Sequence, residues 1–215
     1  MAEVRILIVD DHPLFREALR NVLASGKLRL DISEASSLDG LLAHLVKDDA
    51  CDLVLLDLRM LGVQGLSGLI YLRSQYPNIP VVIVSASEEA GIVKRSLDLG
   101  ASGFIPKSSG TLVIIEAVEA VLAGGVWTPP GADRELPADP EIAVIARRVA
   151  SLTAQQIRVL MMLREGLLNK QIAHALSVSE ATVKAHVSAI LLKLGVASRT
   201  QAVIAASKLS GAPET

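Results

Sequence analysis

The chain has 215 residues, 51% of them apolar and 2% aromatic, with one cysteine and a formal net charge of −2. A single cysteine excludes an internal disulfide, no apolar run approaches the roughly 18–20 residues that span a bilayer, and Met1 to Arg5 lacks the layout of a secretory signal, so a cytoplasmic protein is expected. The small net charge hides an asymmetry: residues 1–124 carry 11 Lys/Arg against 16 Asp/Glu, whereas residues 151–215 carry 7 against 3, which suggests an acidic body joined to a basic domain with a nucleic-acid partner.

Val4 to Val9 reads as a strand that delivers Asp10 and Asp11 at its carboxyl end. Pro13 suits the first turn of a helix whose apolar stripe is Phe15, Ala18, Leu19, Val22 and Leu23. A weaker strand follows near Leu30 to Ala35, and Leu38, Leu41, Leu42 and Leu45 mark the next helix. Leu53 to Leu56 is a short apolar run of the kind buried on both faces of a parallel sheet, and it ends at Asp57. Gly65 to Ser74 predicts a helix directly after it. Val81 to Val84 is a fourth buried strand ending at Ser85, Ala90 to Leu99 a helix stopped by Gly100, and Gly103 to Lys107 a short edge strand containing Pro106. Leu112 to Ala123 closes the series.

Five β–α units predict a doubly wound, five-stranded parallel α/β sheet. No glycine-rich phosphate loop follows the first strand. The stretch 125–150 holds Pro129, Pro130, Pro137 and Pro140 and reads as a linker, with a helical continuation from Glu141 to Ala150. From Leu152 the pattern is all helix. Thr153 caps a helix bearing Ile157, Leu160, Met161 and Leu163; Asn169 caps a shorter one; and Ser179 caps a third that Gly195 ends. Thr200 to Leu209 is the fourth. Two capped helices joined by the tight turn Ser177-Val178-Ser179 describe a helix-turn-helix.

Asp10, Asp11, Asp57, Ser85 and Lys107 fall at one sheet edge, where open α/β sheets place their ligands. Converging carboxylates call for a hard cation, for which Mg²⁺ with oxygen ligands is the expectation. A lysine and a hydroxyl beside them are suited to phosphoryl oxygens. That is equipment for phosphoryl transfer with Asp57 as nucleophile. His12 reads as a loop residue, and His174 and His186, without partners at ligand spacing, as structural.

In these motifs residues 1–124 closely resemble the receiver domain of bacterial response regulators. The resemblance implies a flavodoxin-like fold in which Asp57 accepts phosphoryl from a histidine kinase, with self-phosphorylation and dephosphorylation the only chemistry. It implies that Asp11, Asp57 and the Arg59 backbone carbonyl bind Mg²⁺, with Asp10 assisting through water. Ser85 and Phe104 match the pair of switch positions, at which the hydroxyl moves to the phosphoryl group and the ring turns inward. Leu61 stands where relatives usually have proline, a difference that bears on how long a phosphoryl group persists.

Residues 151–215 resemble the DNA-binding domain of LuxR-type regulators (the NarL/FixJ group) through Asn169-Lys170-Gln171-Ile172-Ala173, Thr182-Val183-Lys184-Ala185-His186 and Lys193-Leu194-Gly195. The resemblance implies that the helix from Glu180 to Leu194 enters the major groove of promoter DNA. Lys184, Ala185 and Ser188 are then candidates for base or phosphate contact, and Thr182, Lys170, Lys193 and Arg199 for phosphate contact. Gln155-Gln156 replaces the usual Arg-Glu, and Ala189 and Leu192 stand where relatives are often polar or basic. The last helix is expected to pair two copies in a homodimer. The alternative is a receiver-like module that controls DNA binding without phosphorylation. A hydrolase of small phosphates would need a substrate-covering cap, which the short loops after the strands do not supply.

Overall fold

The computed structural model describes residues 3–47, 50–60, 63–131 and 140–210. In chain order these form β1 (Val4–Val9), α1 (Pro13–Ala24), β2 (Leu30–Ala35), α2 (Leu38–Lys47), β3 (Leu53–Asp57), β4 (Arg59–Met60), β5 (Val63–Gln64), α3 (Ser67–Gln75), β6 (Val81–Ser85), α4 (Ala90–Asp98), β7 (Gly103–Pro106) and α5 (Thr111–Leu122). The remainder is helical: α6 (Pro140–Ala150), α7 (Ala154–Arg164), α8 (Asn169–Leu176), α9 (Glu180–Leu194) and α10 (Arg199–Ser210). No single helix among the described residues is long and apolar enough to cross a membrane.

The five main strands are parallel and lie in the order β2-β1-β3-β6-β7. Every residue of β3 and β6 is buried, which is why these two strands read as unbroken apolar runs rather than alternating ones. Alternate side chains nevertheless serve different layers. Ile6, Ile8, Leu53, Leu55, Val82 and Val84 share a core with Leu19 and Leu23 of α1 and Ile114 and Val118 of α5. Leu7, Val9, Val54, Leu56 and Ile83 face the other way, with Leu41 of α2, Leu69 of α3 and Val93 of α4.

One element departs from the sequence expectation. The helix after β3 begins at Ser67 instead of Gly65, and a two-stranded antiparallel hairpin fills the gap, pairing Arg59 with Gln64 and Met60 with Val63. Gly65 closes it by donating its amide to the Leu58 carbonyl at 3.0 Å, with φ +64, a left-handed conformation that glycine adopts without a steric penalty. Strands of two residues carry no periodicity to read. Leu61 and Gly62 lie outside the described residues.

The helical part is built from local signals. Thr153 and Gln156 form a capping box, with the Thr153 amide donating to Gln156 Oε1 at 3.0 Å and the Gln156 amide to Thr153 Oγ1 at 3.4 Å. Ser179 accepts the Thr182 amide at 3.1 Å to start α9, and Gly195 ends it at φ +65. Asn169 is the first residue of α8 and not its cap: Leu168 holds the cap position, and its amide donates to Gln171 Oε1 at 2.7 Å. Helix α6 packs with α9 and α10, tied by Arg148 Nη1 to the Leu194 carbonyl at 2.7 Å and by the Lys208–Glu141 ion pair at 2.7 Å.

The helical part docks on α3 through α6, α7 and α10. Ser67 and Ile70 of α3 meet Leu160 and Met161 of α7 and Ala206 and Leu209 of α10 around a residual cavity of about 20 Å³. Arg158 on α7 lies 3.5 Å from Asp39 on α2. One apolar cluster therefore runs from the sheet through α3 into the helical part.

Candidate functional site

Strands β3 and β6 end in, and β1 is followed by, polar residues that are almost fully buried: Asp10 and Asp57 are 2% exposed and Ser85 is 1% exposed. Each sits at the end of an apolar strand, so sheet formation itself withdraws these groups from water. The residue after β7 supplies the counter-charge. Lys107 Nζ lies 2.6 Å from Asp10 Oδ2 and 3.0 Å from Asp57 Oδ2, bridging carboxylates that are 47 residues apart in the chain. Its backbone is fixed as well, the Lys107 amide donating to the Ser85 carbonyl at 2.8 Å. Its ammonium stands 4.5 Å from the centre of the Phe15 ring, a cation–π contact.

Around this centre Arg16 Nη1 donates to the Asp10 carbonyl oxygen at 2.6 Å. His12 Nδ1 lies 2.7 Å from Asp11 Oδ1 and 3.1 Å from Asp10 Oδ1, and the His12 amide donates to Asp10 Oδ1 at 2.8 Å. Ser85 Oγ accepts the Ser87 amide at 3.2 Å, which leaves its own proton to donate. Burial pushes the Asp57 carboxyl above the ordinary carboxylate range and the charge of Asp10 adds to this, while Lys107 and the Arg59 backbone amide pull it down.

Asp10, Asp11, His12 and Asp57 each offer a ligand atom within 4.8 Å of one another, so the acidic pocket can hold a metal ion. Carboxylate oxygens dominate the donor set, as a hard divalent cation requires. All five edge residues expected from the sequence are thus brought together. Phe104 is also present: it lies on β7 opposite Ile83 and is fully buried, its ring already turned into the domain. Phe15 and Arg16 are site neighbours that sequence reasoning missed, and His12, read beside the site only as a loop residue, offers a ligand atom to it. Phe15 looked like one more member of an apolar stripe, and nothing local announces a lysine 92 positions later in the chain.

In the helical part Thr182, Lys184, Ala185 and Ser188 of α9 and Lys170 of α8 are exposed. The receiver-like sheet domain therefore leaves the outer face of α9 open. Leu192 extends that face and is 83% exposed. The other two expected cations are engaged internally. Lys193 Nζ donates to the Ser151 carbonyl at 2.7 Å and to Gln156 Oε1 at 2.9 Å, and Arg199 Nη2 donates to the Leu167 carbonyl at 2.5 Å.

Residues 6–119 match the response regulator receiver domain family, and residues 150–206 match the luxR family of bacterial regulatory proteins. The glycerol metabolism activator of Pseudomonas putida is 44% identical over 211 residues, covering 95% of this chain and 96% of that protein. The nitrate/nitrite response regulator protein NarP of Escherichia coli K12 is 35% identical over 201 residues, 93% of each chain. RcsB of Salmonella enterica serovar Typhimurium, solved bound to a promoter in the presence of the phosphomimetic BeF3⁻, superposes with a TM-score of 0.58 at 24% identity over 97% of this chain and 100% of that one. That last likeness is one of fold.

Proposed function

The chain belongs to the bacterial response regulators that join a receiver to a LuxR-type helix-turn-helix domain, and on that premise we propose that phosphorylation of Asp57 by a histidine kinase controls its binding to promoter DNA. It is a transcription regulator rather than an enzyme that turns over a free substrate. The observation that carries the proposal is the Lys107 ammonium shared between the buried carboxylates of Asp10 and Asp57, on the same chain as a helix-turn-helix whose recognition face is open.

In this reading Asp57 attacks the phosphorus of a phosphorylated imidazole. The P–N bond breaks, its electron pair returns to the ring nitrogen, and Asp57 is left as an acyl phosphate. Small phosphodonors are the route to self-phosphorylation, and hydrolysis of the acyl phosphate returns the carboxylate. Asp11, Asp57 and the Arg59 backbone carbonyl would hold Mg²⁺, with Asp10 acting through water. When bound, the ion neutralises charge on the phosphoryl oxygens. Lys107 is positioned to follow the new oxygens, and Ser85 has a proton to offer them. Phe104, at the matching switch position, is fully buried.

We assign the receiver to residues 1–124, the linker to 125–150 and the DNA-binding domain to 151–215, noting that α6 packs with the last of these. Lys184, Ala185 and Ser188 are the proposed base or phosphate contacts, with Thr182 and Lys170 on phosphates. Lys193 and Arg199, though proposed as phosphate contacts from the sequence, would have to leave their present carbonyl partners to serve. Pairing of two copies through α10 would compete with the receiver, because Ala206 and Leu209 lie against α3. Incubation with acetyl phosphate tests the first step: Asp57 is expected to gain one phosphoryl group only when Mg²⁺ is present, and labelling that survives Asp57→Ala or chelation would overturn it.

A further inference from the structure

The linker begins with a contact that the phosphoacceptor chemistry does not use. Strand β7 is the last strand of the sheet, and its outer edge would otherwise present unpaired backbone groups. Trp127 covers it. The Phe104 amide donates to the Trp127 carbonyl at 3.1 Å, and the Trp127 amide donates to the Ser102 carbonyl at 3.1 Å, forming a parallel bridge opposite Gly103. Glycine fits that position closely: a Cβ there would lie 3.0 Å from the Trp127 carbonyl oxygen and 3.5 Å from the Trp127 Cβ, so the bridge would have to give by a few tenths of an ångström. The indole is half-buried against the α1/α5 side of the sheet core. The chain reaches this seat by reversing after α5 through Gly124, at φ +87.

The bridged strand also leads into the site. Phe104 occupies the switch position, and three residues later Lys107 holds Asp57 and Asp10 while its amide is bonded to Ser85. We propose that Trp127 is a strap whose seating on β7 couples the state of Asp57 to the linker, and that phosphorylation of Asp57 loosens it. This rests on the phosphoacceptor reading of Asp57. A phosphoryl group adds roughly −1.5 to −2 of charge and three acceptor oxygens, and it extends beyond the present carboxylate, so Lys107 is drawn toward it. A strand of only four residues transmits that displacement to a bridge held by two hydrogen bonds. The start of the linker is then released from the edge of the sheet, while the helical part keeps its separate contact with α3.

Trp127 is the single tryptophan in the chain, so its seat is directly readable in the full-length protein. On treatment with acetyl phosphate and Mg²⁺, its emission is expected to shift to longer wavelength and become more accessible to acrylamide. Hydrogen exchange at the Phe104 amide is expected to speed up, and none of these changes should occur in Asp57→Ala. Phosphoryl occupancy measured by mass in the same samples separates the two readings: an unloaded Asp57 counts against the phosphoacceptor, and a loaded Asp57 with unchanged emission and exchange overturns the strap. Gly103→Ala provides an arm that needs no phosphorylation. Its methyl should displace Trp127, giving the red shift and faster Phe104 exchange in the untreated protein, together with tighter binding to DNA. Trp127→Leu keeps the backbone bridge but removes the indole, and it should show a smaller gain in exchange than Gly103→Ala. A Gly103→Ala protein with a displaced strap and unaltered DNA affinity would also overturn the coupling.

Discussion

Asp57 and Lys107 define the chemistry at the scale of single residues, and their environment makes a signed prediction about pH. Because burial and Asp10 raise the Asp57 carboxyl, the fold favours its protonated form. That contribution is fully present below the unfolded carboxylate value and is lost as pH rises through the raised folded value. Asp57→Asn is therefore expected to be more stable than the wild type at neutral pH without divalent cation, by about 1 kcal/mol, or roughly 2–4 °C in Tm for a chain of this size. The gap should close on acidification, and Mg²⁺ should raise the Tm of the wild type more than that of Asp57→Asn. Identical pH profiles from thermal melts would contradict this electrostatic picture. Phe15→Leu tests the ring beside Lys107: a loss of about 1 kcal/mol is expected in denaturant titration, with slower phosphorylation of Asp57. The five edge residues were legible in the sequence because each ends or follows an apolar strand. Phe15 and Arg16 were not, because their roles depend on which helix lies beside which strand end.

Among the elements, those carrying strong local signals appear where the sequence put them, including the caps at Thr153 and Ser179. What single side chains do not announce is their partners in other elements. Lys193, a candidate for phosphate contact from the sequence, joins α9 to the start of α7 through Gln156. The departure at Gln156 is thereby explained: a neutral side chain caps α7 and accepts from Lys193 where a glutamate would make an ion pair. Gln156→Ala should destabilise the protein by about 1 kcal/mol through loss of the cap. Gln156→Glu should restore or exceed wild-type stability, with a gain that shrinks as salt is added. Urea titration at two ionic strengths measures both, and a Gln156→Glu protein weaker than Gln156→Ala would refute the assigned role. The β4–β5 hairpin was equally hidden, since backbone pairing across two residues leaves no trace in hydrophobic period.

In the whole molecule the two parts share one apolar cluster through α3, the helix that follows the hairpin after Asp57. Helix α9 stays open while part of α10 is covered, so control is expected to act on pairing more than on access to α9. Ile70→Asp places a charge in the α3–α7 contact and should separate the parts, seen as a larger radius of gyration by small-angle scattering and a greater fraction of dimer. With few exposed cations on the α8–α9 surface, DNA affinity should fall only shallowly with salt for a single domain. This arrangement was beyond the sequence, because neither the α3 face nor the α10 face differs in composition from an ordinary buried stripe. The most direct measurement is titration of a duplex, selected from random sequence by the protein itself, with unphosphorylated protein, Asp57-phosphorylated protein and Asp57→Ala treated with the same phosphodonor. Tighter binding is predicted for the phosphorylated wild type alone; equal affinities for all three, with Asp57 verified as phosphorylated, would contradict phosphorylation control of this regulator.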